Sequence, residues 1–533
     1  MAHTFRIFKQ AFLLVTTLSS SQLVWATESC DQAEKITFVV NDIFDLTEQD
    51  TLFFHRWANL LHIISKKSAL QNEIAFFIDK CEISDDDLLE LERYLRSRKY
   101  LRDAQVTRDE QDNIKVETWD NWSLMPTADF GRKGGVNKYS VGIQDRNLLG
   151  LGIDAEFEYF SDEQRTGYKL DTQIPLFMKN NMNANLRFSS NDDGQSQAVF
   201  LNKEFAGFGT AYAFNVGFDN FQQTDTLFQN GLDSARFQHQ KNSYLAHGQW
   251  LVQNNASETL RMGMGYANEK HDFTTLPNTS PDLQAYMPFN RQFTYPFISL
   301  EYLTKDYRKL TNINLINHIE DFNLGWHISG HLGSDVSNRD NAASAIWRSQ
   351  LSKGLDVSSD AFIYMTAQFD GEWYNTENQA DRMRLALSTE YFHKLNDDWG
   401  AYVKNLVTLS KNQFLDAPIV LGGENGVRGF PLQYQHGQHN AALSLEARYY
   451  PHINIYKLIE VGAAAFIDVG KSFGSSELRN FDNSTLASFG LGARFYSTHS
   501  SDAQVIHVDI IKPVSNDKNV NGVEFRITAK HAF

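Results

Sequence analysis

The chain has 533 residues, a mean hydropathy of −0.41 and a formal charge of −16. Its length suggests two or three folded units, and its acidic balance, with no long basic run, excludes nucleic acid as a partner. After the N-terminus no run reaches about 18 apolar residues, which excludes a transmembrane helix in the mature chain but not a β-barrel, whose strands are half polar.

Residues 1–26 read as a secretory signal peptide. Arg6 and Lys9 give a positive start, Ala11 to Leu18 a short apolar core, and Val24-Trp-Ala26 a cleavage site. Export places the only two cysteines, Cys30 and Cys81, in an oxidising compartment. There they most simply pair, closing a loop worth roughly 4 kcal/mol; two free thiols are the alternative.

Residues 27–125 read as a small α+β unit. Ile36 to Phe44 is a strand candidate. Thr51 to Ile64 carries Leu52, Trp57, Leu60, Leu61 and Ile64 at helical spacing, a pattern that predicts a buried core face. Ser84 and Asp87 form a capping box opening a helix from Asp85 to Arg98, with Leu88, Leu91 and Leu95 on one stripe. The basic residues Arg93, Arg96, Arg98, Lys99 and Arg102 read first as a solvated face, with contact to a partner or to lipid head groups as the alternative. Two strands, Ala104 to Thr107 and Asn113 to Thr118, flank the turn Arg108 to Asp112.

From Leu124 to the end, residues alternate in polarity. Leu151 to Tyr159 puts Leu151, Ile153, Ala155, Phe157 and Tyr159 on one face. Val523, Phe525, Ile527 and Ala529 alternate with Glu524, Arg526, Thr528 and Lys530, and the terminal Phe533 falls on the apolar face. In a membrane barrel the apolar face meets lipid and the polar face lines the lumen. The segment 126–533 holds up to about 20 candidate strands, within the range such barrels use. Gln222 to Gln240 and His271 to Arg291 are the candidate long loops, and Asn147-Leu-Leu-Gly150 a short turn. Within the barrel, Leu421-Gly-Gly-Glu-Asn-Gly-Val-Arg-Gly-Phe430 is a glycine-rich loop carrying one cation, with strands from Ala441 onward.

Several of these features together resemble the BamA/TamA superfamily of outer-membrane assembly and two-partner-secretion barrels. They are the order of a strand, two helices and a strand hairpin before residue 125, Gln144-Asp-Arg-Asn-Leu-Leu-Gly-Leu-Gly152, Val427-Arg-Gly-Phe430, Phe466-Ile-Asp-Val-Gly470 and Phe533. The resemblance implies an all-β outer-membrane barrel of 16 strands preceded by a POTRA-like periplasmic domain. It also implies a loop, 411–439, folded into the lumen with its arginine bonded to an acidic inner-wall residue, and Phe533 as a C-terminal assembly signal.

Alternation supplies the partners independently. If Leu443, Leu445 and Ala447 face lipid, Ser444, Glu446 and Arg448 face inward. If Val461, Ala463, Ala465 and Ile467 face lipid, then Gly462, Ala464, Phe466 and Asp468 face inward, and Gly470 leaves room beside them. Val427, Arg428, Gly429 and Phe430 are thus the loop motif, and Asp468 and Glu446 the latch partners of Arg428.

No catalytic or cofactor-binding constellation stands out: His-Glu-x-x-His, Gly-x-Ser-x-Gly and the phosphate-binding Gly-x-x-x-x-Gly-Lys are absent, and His436 with His439 is too sparse for a metal site. The expected function is a non-enzymatic barrel of a Gram-negative outer membrane that inserts or translocates protein clients. Its partners would be the bilayer, those clients, and the assembly machinery for its own insertion. A diffusion pore or surface antigen of the same fold is the alternative.

Overall fold

Alternation from Leu124 onward produces twenty antiparallel strands closed into one barrel in the computed structural model. The structure describes residues 36–47, 52–78, 83–133, 136–176, 181–276, 286–337, 339, 342–376, 379–423, 426–476, 480, 483–499, 501, 504–520 and 522–531. Residues 1–26, read above as a signal peptide, and Cys30, Cys81 and Phe533 lie outside the described residues. The strand number is twenty, as the alternation suggests, and not the 16 that the family resemblance implies.

Ahead of the barrel stands a three-stranded mixed sheet. Ile36–Asn41 pairs parallel with Ile114–Asp120, which pairs antiparallel with Leu101–Arg108. Four helices, Phe53–Leu61, Lys67–Glu73, Ala75–Ile78 and Asp85–Arg96, fall between the first two strands in sequence. Leu70, Ile74, Leu91, Leu95, Ile114 and Val116 make the buried core against that sheet. The Asp85 helix starts where its capping box requires: Ser84 Oγ accepts from the Asp87 amide at 3.3 Å, and the Asp87 carboxylate accepts from the Ser84 amide at 2.9 Å.

Two readings of this unit need correction. The helix Phe53–Leu61 forms, but its apolar stripe is not core: Phe53 is 83% exposed, Leu60 78% and Trp57 61%, and Leu52, Leu61 and Ile64 are also exposed. Helical spacing identifies an apolar face but not what covers it. Here the segment after the helix packs on the barrel turn at Gly150, with Lys66 N donating to the Gly150 carbonyl at 2.8 Å. Ile63 and Ile64, which follow the helix, thus lie against Gly150, next in sequence to the exposed Leu148 and Leu149.

The second correction concerns the basic run. Arg96 Nη2 and Nε bond Asp321 at 2.9 and 3.2 Å, the Arg93 guanidinium lies over the Tyr307 ring at 4.7 Å, and Arg102 Nη1 donates to the Ile43 carbonyl at 2.8 Å. Arg98 lies over Tyr94 at 4.4 Å. Among the five, Lys99 keeps the solvated character predicted for all, with its side chain 53% exposed. Sequence spacing could not reveal that a segment from the middle of the barrel chain comes down to meet this helix.

Along the barrel wall the alternation resolves as expected. On the strand Ile459–Phe473, Gly462, Ala464, Phe466, Asp468 and Gly470 are buried, while Ala463, Ala465, Ile467 and Val469 face out. Leu443 and Leu445 are exposed and Glu446 is buried.

The stretch Gln222 to Gln240 is not a loop. Tyr212–Gln229 and Leu232–Asn254 pair, with one register shift between Leu227 and Phe228, up to a two-residue turn at Asn230 and Gly231, both at positive φ as a tight hairpin turn demands. Its polar residues suggested a loop because strands extending past an apolar belt lose alternation in hydrophobicity while keeping their backbone pairing. The His271 to Arg291 stretch is strand to Thr275 before it becomes a connection.

Barrel closure is uneven. The first strand, Leu124–Lys133, pairs with its sequence neighbour from Leu124↔Asp145 to Lys133↔Val136. With the last strand, Glu524–His531, it is in register only at Gly131↔Arg526 and Phe130↔Ile527 among the described residues.

Candidate functional site: an arginine latch between two inserted segments

The chain between Lys411 and His439 folds back into the barrel. A short pair, Ile419–Leu421 with Gln435–Gly437, carries it, and between them the backbone turns through Gly422, Gly423, Gly426 and Gly429, all at positive φ. At Gly429 the φ is 89°, and a Cβ would lie 2.9 Å from Ile511 Cγ2 on the wall, so this position requires glycine on both counts.

These turns deliver Arg428 to the inner wall. Its Nε donates to Asp468 Oδ2 at 2.6 Å and its Nη2 to Asp468 Oδ1 at 2.7 Å, a bidentate pair, while Nη1 donates to Glu446 Oε1 at 2.9 Å. The backbone amide of Arg428 adds a bond to Asp468 Oδ2 at 3.2 Å. The guanidinium plane lies over the Phe466 ring at 3.5 Å. Phe466 stands opposite Gly490, where a Cβ would come within 2.4 Å of its ring, so the missing side chain makes room for the aromatic floor.

Burial makes the pair strong. The Asp468 side chain is 0% exposed and that of Arg428 11%, so these charges lack the solvent screening that leaves surface pairs worth little. Val427, Phe430 and Tyr434 are buried with Leu421, Ala442 and Leu486 around the latch. Val427 fills the space at Gly470, where a Cβ would lie 2.7 Å from its Cγ2. On the far side of the lumen the tip of the Tyr212–Asn254 hairpin meets the loop: the Asn230 amide donates to the Tyr434 carbonyl at 3.1 Å and the Phe228 amide to Gln433 Oε1 at 3.0 Å. His436 Nε2 bonds the Phe228 carbonyl, so His436 joins this same clasp.

A second inserted segment was not foreseen from sequence. Between Arg291–Thr304 and His327–Gly333 the chain makes a small hairpin, Tyr307–Thr311 with Ile319–Asn323, at the end of the barrel that carries the N-terminal unit. Leu315 and Ile316 at its tip are buried against Tyr450, Tyr496 and Val505 of the inner wall. Asn317 Nδ2 donates to Glu460 at 2.8 Å. The two inserts converge on Glu446. Its Oε1 accepts from Arg428, its Oε2 accepts from Arg448 Nε at 3.1 Å, and Arg448 Nη1 donates to the Ile313 carbonyl of the hairpin at 2.8 Å. No sequence signal marks this hairpin, because its strands Tyr307–Thr311 and Ile319–Asn323 are five residues each and too short to show a period.

Glu320 organises the hairpin tip, accepting from the amides of Ile313, Asn314 and Leu315 at 3.0–3.2 Å. Burial raises its carboxyl from the ordinary 4.5 to about 6, outweighing those amide bonds. An acid raised on folding adds stability that is complete below its ordinary value and lost as pH climbs through the folded one. Amide protection at Ile313 to Leu315, corrected for intrinsic exchange, should therefore fall roughly tenfold or more between pH 4.5 and 7. Glu320→Gln should flatten the profile; an unchanged profile in that variant would assign the effect elsewhere.

No family model matches the chain, and no curated protein does. Among solved structures, it is similar to BamA from Haemophilus ducreyi lacking POTRA domains 1–3, at 12% identity over 93% of this chain and 84% of that one, with a TM-score of 0.39. It is similar also to CdiB from Escherichia coli, at 11% identity over 93% and 77% of the two chains with a TM-score of 0.46. The FrpB iron transporter from Neisseria meningitidis matches at 9% identity over 81% and 79%, with a TM-score of 0.40. The closed barrel and the latch, rather than these likenesses, support the function proposed below.

Proposed function

We propose that this chain is an outer-membrane barrel that inserts or translocates protein clients, with a POTRA-like periplasmic unit for capture and the Arg428 loop as its lumenal latch. The observation that carries the proposal is the poorly paired closure between the first and last strands. A strand edge held in register at two positions among the described residues can exchange its main-chain partners for an extended segment, so client sequence can vary while affinity comes from backbone bonds. The edge strand Leu101–Arg108 of the N-terminal sheet offers a second such surface on the capture side. No catalytic step enters the proposal.

The alternative, an open diffusion pore, is disfavoured by two segments inserted from opposite ends of the lumen. The outward apolar face of Phe53–Leu61 suits the periplasmic surface of the outer membrane, where an amphipathic helix holds a rim against lipid.

The seam is tested by locking it. In a Cys30→Ser, Cys81→Ser background, Phe130→Cys with Ile527→Cys places a disulfide across register partners. Oxidised barrels should remain folded and heat-modifiable yet lose client insertion or export, and reductant should restore it. Full activity in the oxidised form would exclude client passage through the seam.

A further inference from the structure

On the side of the barrel away from Asp468, two histidines on neighbouring strands meet. His239 Nε2 and His271 Nδ1 are 2.9 Å apart, and both residues are buried. Their outer nitrogens are committed: His239 Nδ1 bonds Asp225 Oδ2 at 2.6 Å, and His271 Nε2 bonds Glu269 Oε1 at 2.8 Å. An ionised carboxylate only accepts, so each outer nitrogen carries the hydrogen. Two neutral rings so fixed turn lone pairs toward each other, and a contact of that length needs a cation between or beside them: a shared proton or a metal ion.

A third donor stands ready. The Asp416 carboxylate lies close enough that the ligand atoms of all three residues fall within 4.8 Å of one another. Arg291 bonds its two oxygens at 2.9 and 2.7 Å, which aims the carboxylate and leaves each oxygen a further lone pair. Both histidines are oriented by carboxylates through their non-ligating nitrogens, the arrangement that fixes metal-binding imidazoles elsewhere. With metal–ligand bonds of about 2.0–2.2 Å, a tetrahedral ion fits the two nitrogens closely and draws the carboxylate inward by roughly 1 Å.

We infer that His239, His271 and Asp416 form a site for a divalent first-row metal ion of the Zn2+ class. Two imidazoles and one carboxylate suit such ions far better than Mg2+ or Ca2+, which take oxygen ligands. Asp416 belongs to the inserted loop, whereas His239 and His271 belong to the wall. The ion therefore staples the near limb of the loop to the barrel, opposite the Arg428 latch. The site is independent of whether the barrel handles proteins.

The test uses the full-length barrel in detergent, stripped with chelator and titrated with Zn2+ alone against a chromophoric competitor, with Mg2+ and Ca2+ as controls. One Zn2+ per chain is expected, with two imidazole nitrogens in its X-ray absorption spectrum and slowed proteolysis of the 412–438 loop. His239→Gln with His271→Gln should abolish both binding and protection. Asp416→Asn should weaken binding and make proteolysis of the loop insensitive to Zn2+. Glu269→Gln keeps all three ligands and should cost roughly tenfold in affinity. It supplies the decisive variant if the double replacement fails to give a heat-modifiable barrel. Absence of Zn2+ binding, or binding unchanged in these variants, would overturn the site. Zn2+ binding with loop proteolysis that never responds to it would overturn the staple.

Discussion

Arg428→Ala should release the inserted loop while leaving the barrel closed. The replacement leaves Asp468, with its side chain fully buried, holding an uncompensated charge with one amide bond remaining. Removing one partner of a buried pair costs roughly 3–5 kcal/mol, against about 0–1 kcal/mol for an exposed pair. Loop proteolysis should accelerate and client handling should fall sharply, with heat-modifiable migration retained. Arg428→Lys should recover little, because an ammonium cannot bond Asp468 bidentately and lie flat on Phe466. Asp468→Ala should match Arg428→Ala, and the double variant should be little worse than either. Strictly additive losses would mean that the two residues do not act as a pair.

Excising the domain-side hairpin should have the other large effect. The Thr304 amide donates to the Trp326 carbonyl at 2.8 Å, and the Trp326 amide donates to Thr304 Oγ1 at 2.6 Å. The ends of the insert are thus already neighbours, and a two-residue Asn-Gly turn can replace residues 305–325 without breaking the wall. The variant loses the buried Leu315 and Ile316 and the bonds to Arg448 and Glu460, together with the Arg96–Asp321 tie to the N-terminal unit. Planar-bilayer conductance should rise from closed or flickering to a stable open level. The N-terminal unit should gain rotational freedom in spin-label measurements. Unchanged conductance would show that the hairpin does not obstruct the lumen.

What was legible in the sequence was whatever a period of two determines. Inward placement of Glu446 and Asp468 follows from the outward placement of Leu443, Leu445, Ala465 and Ile467, and their geometry with Arg428 follows once the glycine-rich loop turns inward. Strand number also came closer from alternation than from family resemblance. What was not legible depends on register or on distant packing. His239 and His271 become neighbours only through the pairing Lys241↔His271 and His239↔Phe273, a diagonal that no spacing in the chain reveals. The Phe53–Leu61 stripe looked like core because a helical period reports an apolar face and says nothing of whether protein or lipid covers it. The run from Arg93 to Arg102 looked solvated because Tyr307 and Asp321 lie more than 200 residues away in sequence.

The sharing of Glu446 makes the barrel an interlock. One carboxylate serves Arg428 of the segment from one end and Arg448, which holds the segment from the other. If Arg428 withdraws, Arg448 remains bonded to Glu446 and to the Ile313 carbonyl of the hairpin. If the hairpin withdraws, Arg448 stays on the wall beside Glu446 and loses its bond to the Ile313 carbonyl, while Arg428 keeps its own bond to Glu446. Each insert thus keeps its own tie at this carboxylate when the other leaves, so one end can open while the other stays anchored. A barrel so wired can loosen at one face while the segment inserted from the other face still fills its part of the lumen.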